Sequence, residues 1–160
     1  MEEIKGLLFK ANKSIKAADH LAYVTYPLIR DTKLLNQIVQ NIYLALLSSI
    51  DALLYYDWMF KRIPSFPQDL ESKIDMFKNK TAKFHSLDKS HIALIYAMVE
   101  LANSLKNKQF AFVKKDKLTL YDGINVKTVT FEMIKSYTNQ AGLFVSMIHN
   151  IFVKDNFKFG

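Results

Sequence analysis

Four histidines, fifteen carboxylates and twenty-two Lys or Arg residues carry the chemistry available to this 160-residue chain, and cysteine is not among them. The absence of cysteine removes disulfides, thiolate zinc sites, iron–sulfur clusters and cysteine nucleophiles together. His85 and His91 share one short segment with Lys83 and Lys89. A histidine beside a cation suits acid–base work on a phosphodiester, because its proton leaves and returns near neutral pH. The plainer reading of the pair is a solvated, Lys-rich loop. His20 stands next to Asp19 and His149 next to Asn150, which reads as surface or boundary for each. Asp51 and Asp57 fall on different faces of a helix, so they do not make a carboxylate pair. Asp51 lies in an apolar run, where a carboxylate must be paired, open to a cleft, or protonated. A hydrogen bond to Tyr or Ser of a neighbouring helix is the simplest of these.

Most catalytic signatures are missing. The chain has no Gly-rich phosphate loop, no H-E-x-x-H and no G-x-S-x-G. A di-iron bundle needs Glu-x-x-His pairs, and Glu2, Glu3, Glu71, Glu100 and Glu132 all lack a histidine three residues on. No metal or cofactor is expected. What remains is charge. The net charge is +7, with six Lys/Arg against six Asp/Glu in residues 1–60 and sixteen against nine in residues 61–160. One Lys cluster comprises Lys73, Lys78, Lys80, Lys83 and Lys89. A second comprises Lys106, Lys108, Lys114, Lys115 and Lys117, interleaved with Phe110 and Phe112. Lysines beside aromatic rings are the ingredients of single-strand RNA binding, with charge for phosphate and rings for bases. Arginine, the better phosphate fork, occurs only as Arg30 and Arg62, and a solvated basic surface is the plain alternative.

The elements that must position these groups follow from apolar periodicity. With 50% hydrophobic, 13% aromatic and 23% charged residues, the composition is that of one globular domain. Ile4, Leu8, Ala11, Ile15, Ala18 and Ala22 draw one stripe along a helix from Glu2 to Tyr26, which Pro27 kinks or ends. Asp31 or Thr32 can cap a second helix, Thr32 to Lys61. From Ile42 to Phe60 that helix is apolar on nearly every side. Ser48, Ser49, Asp51 and Asp57 argue against a bilayer span, since a mid-membrane carboxylate costs about 2.5–3.5 kcal/mol. The segment reads instead as the most buried helix of a bundle, or as a dimer seam. Its polar residues Gln37, Asn41, Ser48 and Asp51 recur at helical spacing. Ser65 and Gln68 read as a capping box for a third helix, Phe66 to Phe84. A fourth spans Asp88 to Lys106, with Ile92, Ile95, Tyr96, Val99 and Ala102 inward. Lys117–Tyr121 and Asn125–Val129 flank Asp122-Gly123, a hairpin signal. A two-residue Asp-Gly turn pairs Tyr121 with Ile124; a loop one residue longer pairs Leu120 with Val126. Thr130 or Thr128 caps a last helix reaching Val153, with Ile134, Tyr137, Ala141, Phe144, Ile148 and Phe152 inward. The expected fold is mainly α: an antiparallel bundle of about five helices with a β-hairpin inserted before the last. The acidic opening Met1-Glu2-Glu3-Ile4-Lys5 lacks the basic start and apolar run of a secretion signal, so a cytoplasmic, membrane-free protein is expected.

The stretches Ala11-Asn-Lys-Ser-Ile-Lys-Ala-Ala-Asp-His20 and Asn41-Ile-Tyr-Leu-Ala-Leu-Leu-Ser-Ser-Ile-Asp-Ala-Leu53, with Tyr26-Pro27-Leu28, Phe60-Lys-Arg-Ile-Pro64 and Lys114-Lys-Asp-Lys117, resemble the HEPN-like superfamily of small α-helical domains, in an uncharacterised archaeal branch. Active members are RNases that use an Arg followed four to six residues later by His. Neither Arg30 nor Arg62 has a His at that distance, so no catalytic residue carries over. The resemblance implies a non-catalytic member that binds RNA, a nucleotide or a protein partner, often as a dimer. Three functional expectations follow. The first is a module binding RNA or a ribonucleoprotein through Lys83, Lys89, Lys106, Lys108, Lys114, Lys115 and Lys117. The second is a protein-interaction or toxin–antitoxin-type subunit forming a homodimer through the second helix. The third is a metal-independent nuclease centred on His85 and His91.

Overall fold

The computed structural model describes residues 2–107, 110–113, 116–122 and 124–155. Helix α1 (Glu2–His20) runs through a wide turn, Leu21–Thr25, into α2 (Tyr26–Ile29). Of the two outcomes expected at Pro27, a kink or an end, the helix does not end there. The Tyr26 N–H reaches back to the Leu21 carbonyl, an i→i+5 bond that loosens the turn in which the ring would otherwise crowd a carbonyl. The rod stops at Arg30, whose φ of 58° is left-handed. Helix α3 (Lys33–Met59) follows, its first turn capped by the Asp31 carboxylate, which accepts from the Lys33 N–H at 2.9 Å.

Helix α4 (Leu70–Met76) passes through a second wide turn, Phe77–Thr81, into α5 (Ala82–Phe84). The capping box expected at Ser65 and Gln68 does not form. Asp69 is the cap instead, accepting from the Ser72 N–H at 2.9 Å, and that bond holds its carboxyl below the ordinary range. Pro64 and Pro67 lie in the irregular segment that joins α3 to α4. Helix α6 (Lys89–Lys106) starts on Asp88, and α7 (Phe131–Lys154) starts on Thr130, whose hydroxyl accepts from the Met133 N–H at 3.1 Å.

Between α6 and α7 lies an antiparallel sheet of β1 (Phe110–Val113), β2 (Lys117–Asp122) and β3 (Asn125–Thr130), in the order β1-β2-β3. The hairpin expected from the sequence is β2–β3, in neither expected register. Asp122 pairs with Asn125, Leu120 with Lys127 and Leu118 with Val129. Burial explains the choice: this register sets Leu118 and Val129, 0% and 1% exposed, opposite each other, whereas a one-residue slip would turn one of them to water.

The core is organised around α3. Helix α1 lies along it, and α7 and α6 cover its other sides. The stripe Ile4, Leu8, Ala11, Ile15, Ala18 and Ala22 is buried throughout, as are Ile134, Ala141, Phe144, Ile148 and Phe152 of α7. Among the described residues α3 alone is long and apolar enough to cross a membrane. Most of that length is enclosed by the other helices, and Leu44, Trp58 and Met59 are its exposed large apolar side chains. On α6 the inward residues are Leu94, Ile95, Met98, Leu101, Ala102 and Leu105. Tyr96, read as inward from the sequence, is 42% exposed; the buried stripe is rotated toward Leu94 and Met98.

The sheet is tied to the α2–α3 corner by one carboxylate. Asp116, itself left-handed at φ 66°, accepts from the Tyr26 hydroxyl and the Arg30 guanidinium. Its backbone carbonyl accepts from the Phe131 N–H at 2.8 Å, and the Tyr26 ring packs 4.4 Å from that of Phe131. Burial, followed by the bond to Asp116, pushes the Tyr26 phenol well above its ordinary value of 10.0. A raised pKa supplies stability below the unfolded value and loses it as pH rises beyond. Tyr26→Phe is expected to cost about 1.5–3 kcal/mol at neutral pH, the worth of a hydrogen bond to a charged group. Urea titrations of both proteins should show that gap narrowing once the pH passes about 10, where the unfolded phenol ionises.

Candidate functional site

Three places gather the groups singled out by the sequence. The first is a buried corner at the end of α3. Asp57 is 0% exposed, and its Oδ1 accepts from Arg62 Nη1 at 3.0 Å and from His85 Nε2 at 2.9 Å. Two helix ends aim those donors. Lys61 takes a φ of 58°, so the Arg62 N–H reaches the Asp57 carbonyl at 2.8 Å and the Lys61 N–H reaches that of Trp58 at 3.0 Å. Ser86 does the same after α5, at φ 56°, with Leu87 bonded to Ala82 and Ser86 to Lys83. Both are Schellman closures made without glycine, at a cost of about 1–2 kcal/mol each in left-handed strain. The guanidinium also lies over the rings of Phe84, Phe60 and Tyr56, at 4.6, 5.2 and 5.3 Å.

The structure places His85 in this corner and His91 elsewhere. His85 turns its Nε2 inward to Asp57, with 8% of its side chain exposed. His91 packs 5.5 Å from the Phe144 ring of α7. The two rings have different partners. Asp57, set aside in the sequence as half of a failed carboxylate pair, is the hub instead. The clue was Arg62, five residues on, past Trp58 and Phe60.

The second place is a groove of about 490 Å³ between the wide turn after α4 and the start of α6. A turn closed i→i+5 sets residues five apart in line, so Lys78 and Lys83 face the same way. Lys89 joins them across the groove, and the floor is apolar, from Ala82, Leu87 and Ile92. The Lys78 Nζ sits 5.8 Å from the centre of the exposed Tyr96 ring. No carboxylate is among the described residues lining this groove. Lys106 is not part of it. Seventeen residues further along α6, it lies roughly 25 Å away on the axis, in a shallow cleft with Asn36, Gln40 and Tyr43. Lys117 is exposed at the start of β2. Lys108, Lys114 and Lys115 lie outside the described residues.

The third place holds Asp51. It is paired and also opens to a cleft: Lys73 of α4 lies 3.1 Å from its Oδ1, in place of the Tyr or Ser partner expected. The cleft, of about 560 Å³, is walled by Tyr55, Trp58 and Phe66 and includes Glu3. A hydrogen bond to Glu3, and then burial, raises the Tyr55 phenol above its ordinary range. Sequence reasoning missed this cleft because Phe66 enters from the loop after α3.

No family model, curated protein or solved structure matches the chain, so its function must be read from its own geometry. The Asp57 corner is structural on that geometry. Asp57→Ala strands a half-buried guanidinium and is expected to destabilise the fold by about 3 kcal/mol. The change should appear in guanidinium denaturation as a lower midpoint at unchanged slope.

Proposed function

We propose that this chain is a non-catalytic, HEPN-like helical module that binds single-stranded RNA through the lysine groove at the start of α6. The observation that carries the reading is the convergence of Lys78, Lys83 and Lys89 on one groove beside the Tyr96 ring. Three ammonium groups offer charge to backbone phosphates, and a half-exposed phenol offers a face on which a base stacks, the pairing that single-strand binders use. The apolar floor lowers the local dielectric and strengthens the charge contacts. The net charge of +7 draws a polyanion in from a distance. Phosphodiester cleavage is not part of the proposal, since His85 is committed to Asp57. The HEPN-like likeness supports the same reading, as a member without the Arg and His of the active enzymes.

Fluorescence anisotropy with a labelled single-stranded RNA, across a salt series, tests it. Affinity should fall steeply with salt, and the triple change Lys78→Gln, Lys83→Gln, Lys89→Gln should flatten the log–log slope by about 2, at about 0.7 per phosphate contact. Tyr96→Ala should weaken binding by about 1–3 kcal/mol with the salt slope retained. No binding at low salt, or a triple variant indistinguishable from the parent, overturns the proposal.

A further inference from the structure

We propose that the cleft between the start of α1, the end of α3 and the Pro64–Gln68 loop is a second binding site, for an alkylated ammonium group. Its walls are Tyr55, Trp58 and Phe66, and its charged members are Glu3 and Asp51. The rings stand at steep angles, with Tyr55 to Trp58 at 5.6 Å and 57° and Tyr55 to Phe66 at 6.1 Å and 73°. They therefore present both faces and edges to the space between. The cleft's size lies within the range of small-molecule sites.

The chain already demonstrates the recognition on one side of this cleft. The Lys73 ammonium sits 3.1 Å from Asp51 Oδ1 and 5.5 Å from the centre of the Phe66 ring, a carboxylate and an aromatic face holding one cation between them. On the other side, Glu3 lines the cleft together with Tyr55, and Trp58 is 43% exposed. The same pairing of charge and rings is offered there, and no basic residue is among those lining the cleft. With Lys73 counted, two carboxylates and one ammonium leave a single negative charge, the complement of a monovalent cation. Aromatic walls favour a weakly hydrated organic cation over a metal ion, because cation–π attraction repays little of a metal's hydration. The described residues also hold no cluster of three metal-ligating side chains. The cleft does not draw on the lysine groove, so this proposal stands or falls separately from RNA binding.

Trp58 is the single tryptophan of the chain, so its emission reports occupancy directly, with calorimetry as a second readout. The probes are choline, its neutral carbon isostere 3,3-dimethylbutanol, and a short peptide bearing trimethyllysine beside the same peptide with leucine at that position. Choline or the trimethyllysine peptide should bind saturably, with the uncharged counterpart about fivefold weaker or more. A preference for choline assigns a free ligand, and a preference for the peptide assigns a protein side chain. Glu3→Gln and Phe66→Leu should each weaken binding severalfold, while the triple lysine variant of the groove leaves it unchanged. Absence of saturation in both readouts overturns the proposal. So does equal affinity for the isosteres, or indifference to both cleft substitutions.

Discussion

Every other feature of this molecule depends on the burial of α3. Its 27 residues carry apolar side chains around almost the whole circumference, and each Leu or Ile fully removed from water contributes about 1.5–3 kcal/mol. One neighbouring helix covers only a stripe, so a girdle of α1, α6 and α7 is the arrangement that satisfies α3. The sheet's position and the location of the clefts follow from how that girdle closes.

Closure leaves two corners where the chain must leave a helix and return, and each is fixed by a carboxylate that accepts two side-chain donors. Asp57 holds Arg62 and His85 where α3 ends. Asp116 holds Tyr26 and Arg30 where the sheet meets the α2–α3 corner. Both arginines of the chain are thus committed to internal pairs, consistent with the planar fork of donors that makes Arg suited to such sites. Lysine is left as the cation of the exposed surface. The charged groups lining the open groove at the start of α6 are accordingly lysines.

The two clefts differ in charge. The groove of Lys78, Lys83 and Lys89 meets no lining carboxylate, while the aromatic cleft of Tyr55, Trp58 and Phe66 collects Glu3 and Asp51. Lys73 of α4 pairs with Asp51 and lies over Phe66, two residues that line the cleft, and Lys78, on the wide turn that follows, lines the groove. The short run from α4 to α5 therefore serves both places, and its i→i+5 turn sets which lysine faces which way.

Helix existence, the inner faces of α1 and α7, the Thr130 cap and the buried nature of α3 were all legible in the sequence, because apolar periodicity and N-cap chemistry act over a few residues. Tertiary structure decided the rest. The β2–β3 register turned on burying Leu118 against Val129, a condition set by the helices beneath the sheet. Tyr96 turned outward because the contact face of α6 is set by α3 and α7, not by its own pattern. The helix ends at Lys61 and Ser86 close in left-handed conformation without the glycine that signals such a turn. Asp57, His85 and Arg62 meet across separate segments, and Glu3 meets Phe66 from still more distant ones. Local sequence fixes which residues can carry charge or stack; only packing of distant segments fixes which of them share a site.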